Sequence, residues 1–312
     1  MSDKAFYADV LCMVPVWVTA MESNLVLAPY EENTCSKVIF PKAEGGISVA
    51  EYLNTLGIKT SLYGFAGGKT GELMKNHYER LGIDTVFEDT EREISFKTVI
   101  NYPTGQSTSY VFNDLEHITV SKYFSLLKKI KNRQHKPDCM IITGKSPFGL
   151  EKGIYADIIR SSKEKNVPVI TDFSGYELLN AMKEFPALIV CDYSDLANMT
   201  QRSIESYSDA LSALRTMPKK TAIMCVCGTK GAILYCNSFF GLCQWRKNGI
   251  ANPYARSALI AGFISACDYS SCDLEYALKY ACACFQASDM YGNLADKGEI
   301  KKYFTEMTVK IY

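Results

Sequence analysis

The residues best placed to do chemistry fall in one stretch, GIANPYARSALIAGFISA, at 249–266. A turn-prone run with Gly249, Asn252 and Pro253 meets an apolar, small-residue helix beginning near Tyr254. The first turn of a helix presents unpaired N–H groups and a partial positive charge. Tyr254, Ala255 and Arg256 therefore mark a place for an anion such as a transferring phosphate. Arg256 has two readings, a charged contact to that anion or a surface residue. Asp192 and Asp195 stand three apart on a short helical turn. That spacing suits a magnesium ion held through water, or equally a solvated helix start. Gly228 and Gly231 bracket a tight turn between two strand-like runs.

The apolar pattern provides the elements that position these groups. Residues 7–14 form a strand, followed by β-prone segments over 16–40. Val49, Leu53 and Leu56 share a helical face that Gly57 terminates. Strand 59–65 leads into a second helix that opens at GGKTGE (67–72) and ends near Gly82. Residues 93–113 alternate and turn at Tyr102–Gln106, which makes a hairpin outside the strand–helix rhythm, paired with parts of 16–40. After it come helix 120–134, strand 138–143, helix 151–165, strand 167–172, helix 175–184 and strand 187–191. Short helices, strands 221–227, 232–236 and 239–245, helices 254–267 and 273–288 and a C-terminal segment complete the chain. Alternation of this kind predicts a mainly parallel sheet.

With 312 residues and 47% hydrophobic content, the chain can bury a large core without disulfides or metals. Lys+Arg and Asp+Glu are both 34, which argues against a nucleic-acid partner. The cysteines sit in apolar runs without C-x-x-C spacing, as Cys225/Cys227 and Cys282/Cys284 show. They read as buried hydrophobes of a reducing cytoplasm, with no zinc site. Residues 5–20 are interrupted by Asp9 and Pro15 and read as a buried strand, not a leader. No run is apolar enough to span a membrane.

Residues 45–82, beginning GGISVAEYLNTLG and containing GFAGGKTG at 64–71, resemble the N-terminal signature of the ribokinase-like (PfkB) carbohydrate kinases. The likeness is strongest to the 1-phosphofructokinase and tagatose-6-phosphate kinase branch. TGKSPFG (143–149), TDFSGYEL (171–178), LIVCDYSDL (188–196), VCGTKGAIL (226–234) and ARSALIAGF (255–263) follow at the family's motif positions and in its order. The resemblance implies one ribokinase-like α/β domain over 1–312, with helices on both faces of a mainly parallel sheet. It also implies a small β-sheet lid from about 16–40 and 93–113.

The same resemblance assigns positions to roles. The family's catalytic Asp falls on Ser257, a neutral hydroxyl that cannot accept a proton as a carboxylate does. Loss of a general base costs about 10²–10⁴-fold. Its anion-hole glycines fall on Tyr254 and Arg256, flanking Ala255. The sugar carboxylate falls on Val18, and a Lys and an Asn of the substrate loop on Gly45 and Ser48, with Gly46 kept. The lid keeps Lys97, whereas the phosphate-binding Arg falls on Glu93, whose charge would repel a phosphate. Lys145 replaces a Ser; it either compensates for that loss or is a solvated loop lysine. On the nucleotide side Gly228 and Gly231 remain. Phe285 replaces a Gly against the adenine, where it would project into the cleft or repack into the core. Asp192 and Asp195 stand at the magnesium-organising N-x-x-E.

The resemblance thus implies a sugar or sugar-phosphate kinase homologue impaired in catalysis, a pseudokinase. The alternative is an active, divergent ATP-dependent sugar-phosphate kinase. ATP and Mg2+ are the cofactors if the chain is active. A sugar or sugar phosphate is the expected ligand, and a homodimer through the lid the expected assembly.

Overall fold

Strands apolar along their whole length must be covered on both faces, and helices between them do the covering. A computed structural model describes residues 5–24, 30, 32–39, 44, 46–104, 106–112, 117–133, 135–228, 230–245, 252, 254–269, 273–288, 293–294 and 296–312. Its first half contains β1 (Tyr7–Cys12), β2 (Val16–Ser23), β3 (Cys35–Ile39), α1 (Ser48–Thr55), β4 (Lys59–Phe65), α2 (Gly68–Arg80), β5 (Asp84–Glu88), β6 (Ser95–Asn101), β7 (Ser107–Phe112) and α3 (Val120–Lys131). Next come β8 (Cys139–Thr143), α4 (Ile154–Glu164), β9 (Val169–Asp172), α5 (Gly175–Ala181), β10 (Leu188–Asp192), α6 (Tyr193–Thr200) and α7 (Tyr207–Leu214). The chain closes with β11 (Ala222–Val226), β12 (Gly231–Tyr235), β13 (Phe240–Gln244), α8 (Ala255–Tyr269), α9 (Leu274–Ala287), α10 (Lys297–Glu306) and β14 (Thr308–Ile311).

Among the described residues, ten strands form one sheet in the order β14-β13-β12-β11-β10-β9-β8-β1-β4-β5. The strands from β11 to β5 run parallel, and β12, β13 and β14 add an antiparallel edge. Side chains alternate across it. Val10, Leu62, Ile141 and Val190 pack under α1, α2, α8, α9 and α10. Leu11, Tyr63, Ile142 and Ile189 pack on the other face, under α3 to α7.

A second sheet has the order β3-β2-β6-β7. The predicted hairpin is β6–β7, closed by Tyr102 N–H donating to the Gln106 carbonyl at 2.9 Å. Its partner within 16–40 is β2, parallel to β6 from Val16↔Ser95 to Glu22↔Asn101. Two features were not anticipated. Strand β5 is only half-buried and carries acids at both ends, so its alternation is weak. The C-terminal segment resolves into α10, capped by Asp296, and the edge strand β14.

Candidate functional site

The carboxyl ends of parallel strands leave unoccupied backbone ends and a crevice, where such sheets place ligands. Here the ends of β1, β8, β9 and β10 floor a cavity of about 740 Å³ through Val14, Gly144, Asp172 and Asp192. Val16, Ser95, Lys97 and Val111 of the second sheet close it from above. The Lys97 ammonium reaches Glu44 Oε1 at 2.9 Å, and both side chains are about three-quarters buried. Lys145 lines the wall and is exposed. Its carbonyl accepts the Tyr155 hydroxyl at 2.9 Å, which ties the loop to α4. Glu177 also lines the cavity. Burial raises its carboxyl above the ordinary glutamate range, against the lowering effect of the Gly153 N–H and Ser146 hydroxyl.

Arg256 is not a free surface residue. Its Nε bonds Asp172 Oδ1, and one terminal nitrogen donates to the Val190 carbonyl at 2.7 Å. The other lies 3.9 Å from Asp195 Oδ2 and 4.0 Å from Asp192 Oδ2. Asp172 also accepts the Thr143 hydroxyl at 3.1 Å. Asp192 and Asp195 form a reciprocal capping box at the start of α6. The Asp195 N–H donates to Asp192 Oδ1 at 2.9 Å and the Asp192 N–H to Asp195 Oδ2 at 3.3 Å. Burial and the neighbouring Asp192 raise the Asp195 carboxyl, and Arg256 pulls it back. The two aspartates thus serve the helix start, and the cation beside them belongs to the chain itself.

The start of α8 is also engaged internally. Asn252 Oδ1 accepts the Tyr254 N–H at 2.8 Å, and its carbonyl accepts the Ala255 N–H at 3.2 Å. The Asn252 amide is in turn held by the Ser288 carbonyl and hydroxyl at 3.0 and 2.9 Å. Two donors of the expected anion hole are therefore satisfied by Asn252. Tyr254, Ala255 and Ser257 are buried and do not line the cavity; of this turn only Arg256 does. Gly249 and Pro253 lie outside the described residues.

The remaining predicted positions divide. Lys97 and Lys145 reach the cavity, whereas Val18 and Ser48 are buried away from it. Gly45 lies outside the described residues. Gly46 approaches the β8 end so closely that a Cβ would sit 1.6 Å from Thr143 Oγ1. Gly231 presses on the next strand, where a Cβ would lie 2.4 Å from the Cys243 carbonyl oxygen; Gly228 has a left-handed φ of 58°. Neither lines the cavity. Phe285 repacks, stacking on Trp245 with centroids 4.8 Å apart. Glu93 does not repel a cleft ligand. It caps α2 by accepting the Lys69 and Thr70 N–H groups at 3.0 and 2.8 Å and the Thr70 hydroxyl. These bonds, the hydroxyl foremost, hold its carboxyl below the usual range.

Three cavity carboxylates were not singled out from sequence. Asp172 ends a strand inside TDFSGYEL and was within reach of that reading. Glu177 sits five residues further on, in the first turn of a helix, and Glu44 carries no local signal at all.

A mainly parallel sheet helix-covered on both faces, with a second small sheet over the strand ends, defines a ribokinase-like α/β fold. The chain belongs to the pfkB family of carbohydrate kinases, whose pattern matches residues 41–288. It is 24% identical over 300 residues to a 1-phosphofructokinase of Borreliella burgdorferi, covering 93% of this chain and 95% of that one. In structure it resembles a possible 1-phosphofructokinase from Thermotoga maritima, with TM-score 0.85, 20% identity and coverage of 98% and 99%. It also resembles the tetrameric inhibited form of phosphofructokinase-2 from Escherichia coli, with TM-score 0.82, 16% identity and coverage of 96% and 98%.

Proposed function

We propose that this chain is a sugar-kinase homologue impaired in phosphotransfer, a pseudokinase whose cleft takes a sugar or sugar phosphate. The observation that carries this reading is the Arg256 guanidinium lodged among Asp172, Asp192 and Asp195. Phosphoryl transfer needs a base, free backbone donors toward the moving phosphate, and a divalent cation on the nucleotide. At the base position Ser257 is a buried hydroxyl. Two of the donors are bonded to Asn252. A Mg2+ ion does not fit between Asp192 and Asp195, because the guanidinium already stands about 4 Å from both. Two like charges there would repel at close range.

In this reading Lys97, Glu44, Lys145 and Glu177 hold the ligand's hydroxyls or phosphate, and the second sheet is the lid of a single domain. The pattern of free, mostly buried thiols favours the cytoplasm. No helix among the described residues is long and apolar enough to cross a membrane.

A second reading is an active, divergent kinase using ATP and Mg2+, in which another carboxylate is the base. The raised carboxyl of Glu177 inside the cleft favours it. One experiment separates the two. The protein is incubated with Mg-ATP and, in turn, fructose phosphates and neutral hexoses, and ADP is measured. The pseudokinase reading expects no ADP above the protein-free blank. Sugar-dependent ADP formation that disappears in Glu177→Gln would overturn it and establish the second.

A further inference from the structure

A second cavity, of about 850 Å³, opens between α3 and the β1–β4–β5 part of the sheet. It lies on the face away from α8. Strand register explains its polarity. Leu11 pairs with Tyr63, and Tyr63 with Val86, as expected beneath a helix. The next row back is Asp9, Ser61 and Asp84, polar on three adjacent strands. Asp9 is 4% exposed, and the partly buried Arg133 guanidinium meets it at 2.9 Å. A polar row under a helix costs folding energy unless something satisfies it, and α3 turns Ser125, Lys128 and Asn132 toward the same space.

Charge distinguishes the two cavities. The cleft has Lys97, Lys145 and Arg256 against Glu44, Asp172, Glu177, Asp192 and Asp195. The second cavity has Lys59, Lys128, Lys129 and Arg133 against Asp9 and Asp84. Lys129 is partnered by Glu88 at 2.7 Å, whereas Lys128 has no ion-pair partner among the described residues. Lys59 rises from the floor over the Tyr7 ring at 5.4 Å, and His135 stacks on the same ring with centroids 5.1 Å apart.

We propose that this cavity is a second ligand site, separate from the cleft, for a small phosphomonoester. Lys59 and Lys128 hold the phosphate from the floor and the α3 wall. Ser61, Ser125 and Asn132 bond it or the adjoining hydroxyls. Asp9 stands three residues, about 10 Å, before the carboxyl end of β1 at Cys12, and the cleft lies beyond that end, so both sites can be filled together.

The test uses inorganic phosphate as the probe, titrated by isothermal calorimetry at low ionic strength in a chloride buffer. Saturable binding in the millimolar range is expected. It should weaken at least about tenfold in Lys59→Glu and in Lys128→Glu and stay unchanged in Lys75→Glu, an exposed lysine of α2 that lines neither cavity. Lys59 and Lys128 are exposed, so unchanged melting temperatures show that the fold is intact. No binding by the parent protein, or loss of binding in Lys97→Met with retention in Lys128→Glu, would overturn the proposal.

Discussion

Arg256, in the first turn of α8, bonds through its Nε to the Asp172 carboxylate at the end of β9, 84 residues away in the chain. The pair spans the cleft floor and fixes the helix start to the sheet. A guanidinium with three carboxylates around it is a standing positive charge on the cleft floor.

Replacing that charge should therefore expose a metal site. Arg256→Ala leaves Asp172 and Asp195 facing each other. We expect a loss of about 2 kcal/mol, less than for a fully buried pair because the guanidinium is partly solvated. Millimolar Mg2+ should raise the melting temperature of the variant and leave that of the parent unchanged. Calorimetric scans with and without Mg2+ check this; equal responses would contradict it.

Restoring the carboxylate alone should not restore turnover. Ser257 is 4% exposed, so Ser257→Asp buries a charge without a partner. A loss of about 2–4 kcal/mol is expected, with no ADP formed from Mg-ATP and sugar phosphates. Chemical denaturation and an ADP assay read both outcomes.

Asp9 should make stability fall as pH rises toward neutrality. Burial raises its carboxyl from 3.8 to about 7, with Arg133 opposing and Asp84 adding to the rise. Between these values the folded protein keeps a proton that the unfolded chain has released. The contribution is fully present below pH 3.8 and lost as pH rises through about 7. Asp9→Asn should flatten this part of a stability–pH profile measured by urea unfolding.

The Phe285–Trp245 stack should be structural. Phe285→Ala should cost about 2–3 kcal/mol and shift tryptophan emission, since Trp245 is one of two tryptophans. Added ATP should not reverse the shift.

Tyr110 and Val111 are 59% and 58% exposed on the edge strand β7. If this edge joins two copies, Tyr110→Asp should convert a dimer into a monomer by light scattering. A parent that is already monomeric would contradict the expected homodimer through the lid.

The architecture was legible because it rests on periodicity. Val10 and Leu11 face different cores, and an apolar run such as VLC at 10–12 marks a strand covered on both faces. The cleft was legible where a motif fixed a position, as at Lys97, Lys145 and Arg256. It was illegible where a side chain's reach decides the matter. Nothing local tells Arg256 to fold back onto Asp172, or Glu93 to cap α2 instead of facing the cleft. Both outcomes depend on partners far away in the chain.

The pairing of β2 with β6 has a consequence for how the molecule is made. Val16 meets Ser95 only after α1, β4, α2 and β5 have been synthesised between them. Joining such distant segments carries a loop-closure cost that local contacts do not repay. The small sheet should thus assemble after the β1–β4 unit has condensed. On the ribosome, the nascent chain should leave one backbone edge of β2 unpaired until β6 emerges to bond it.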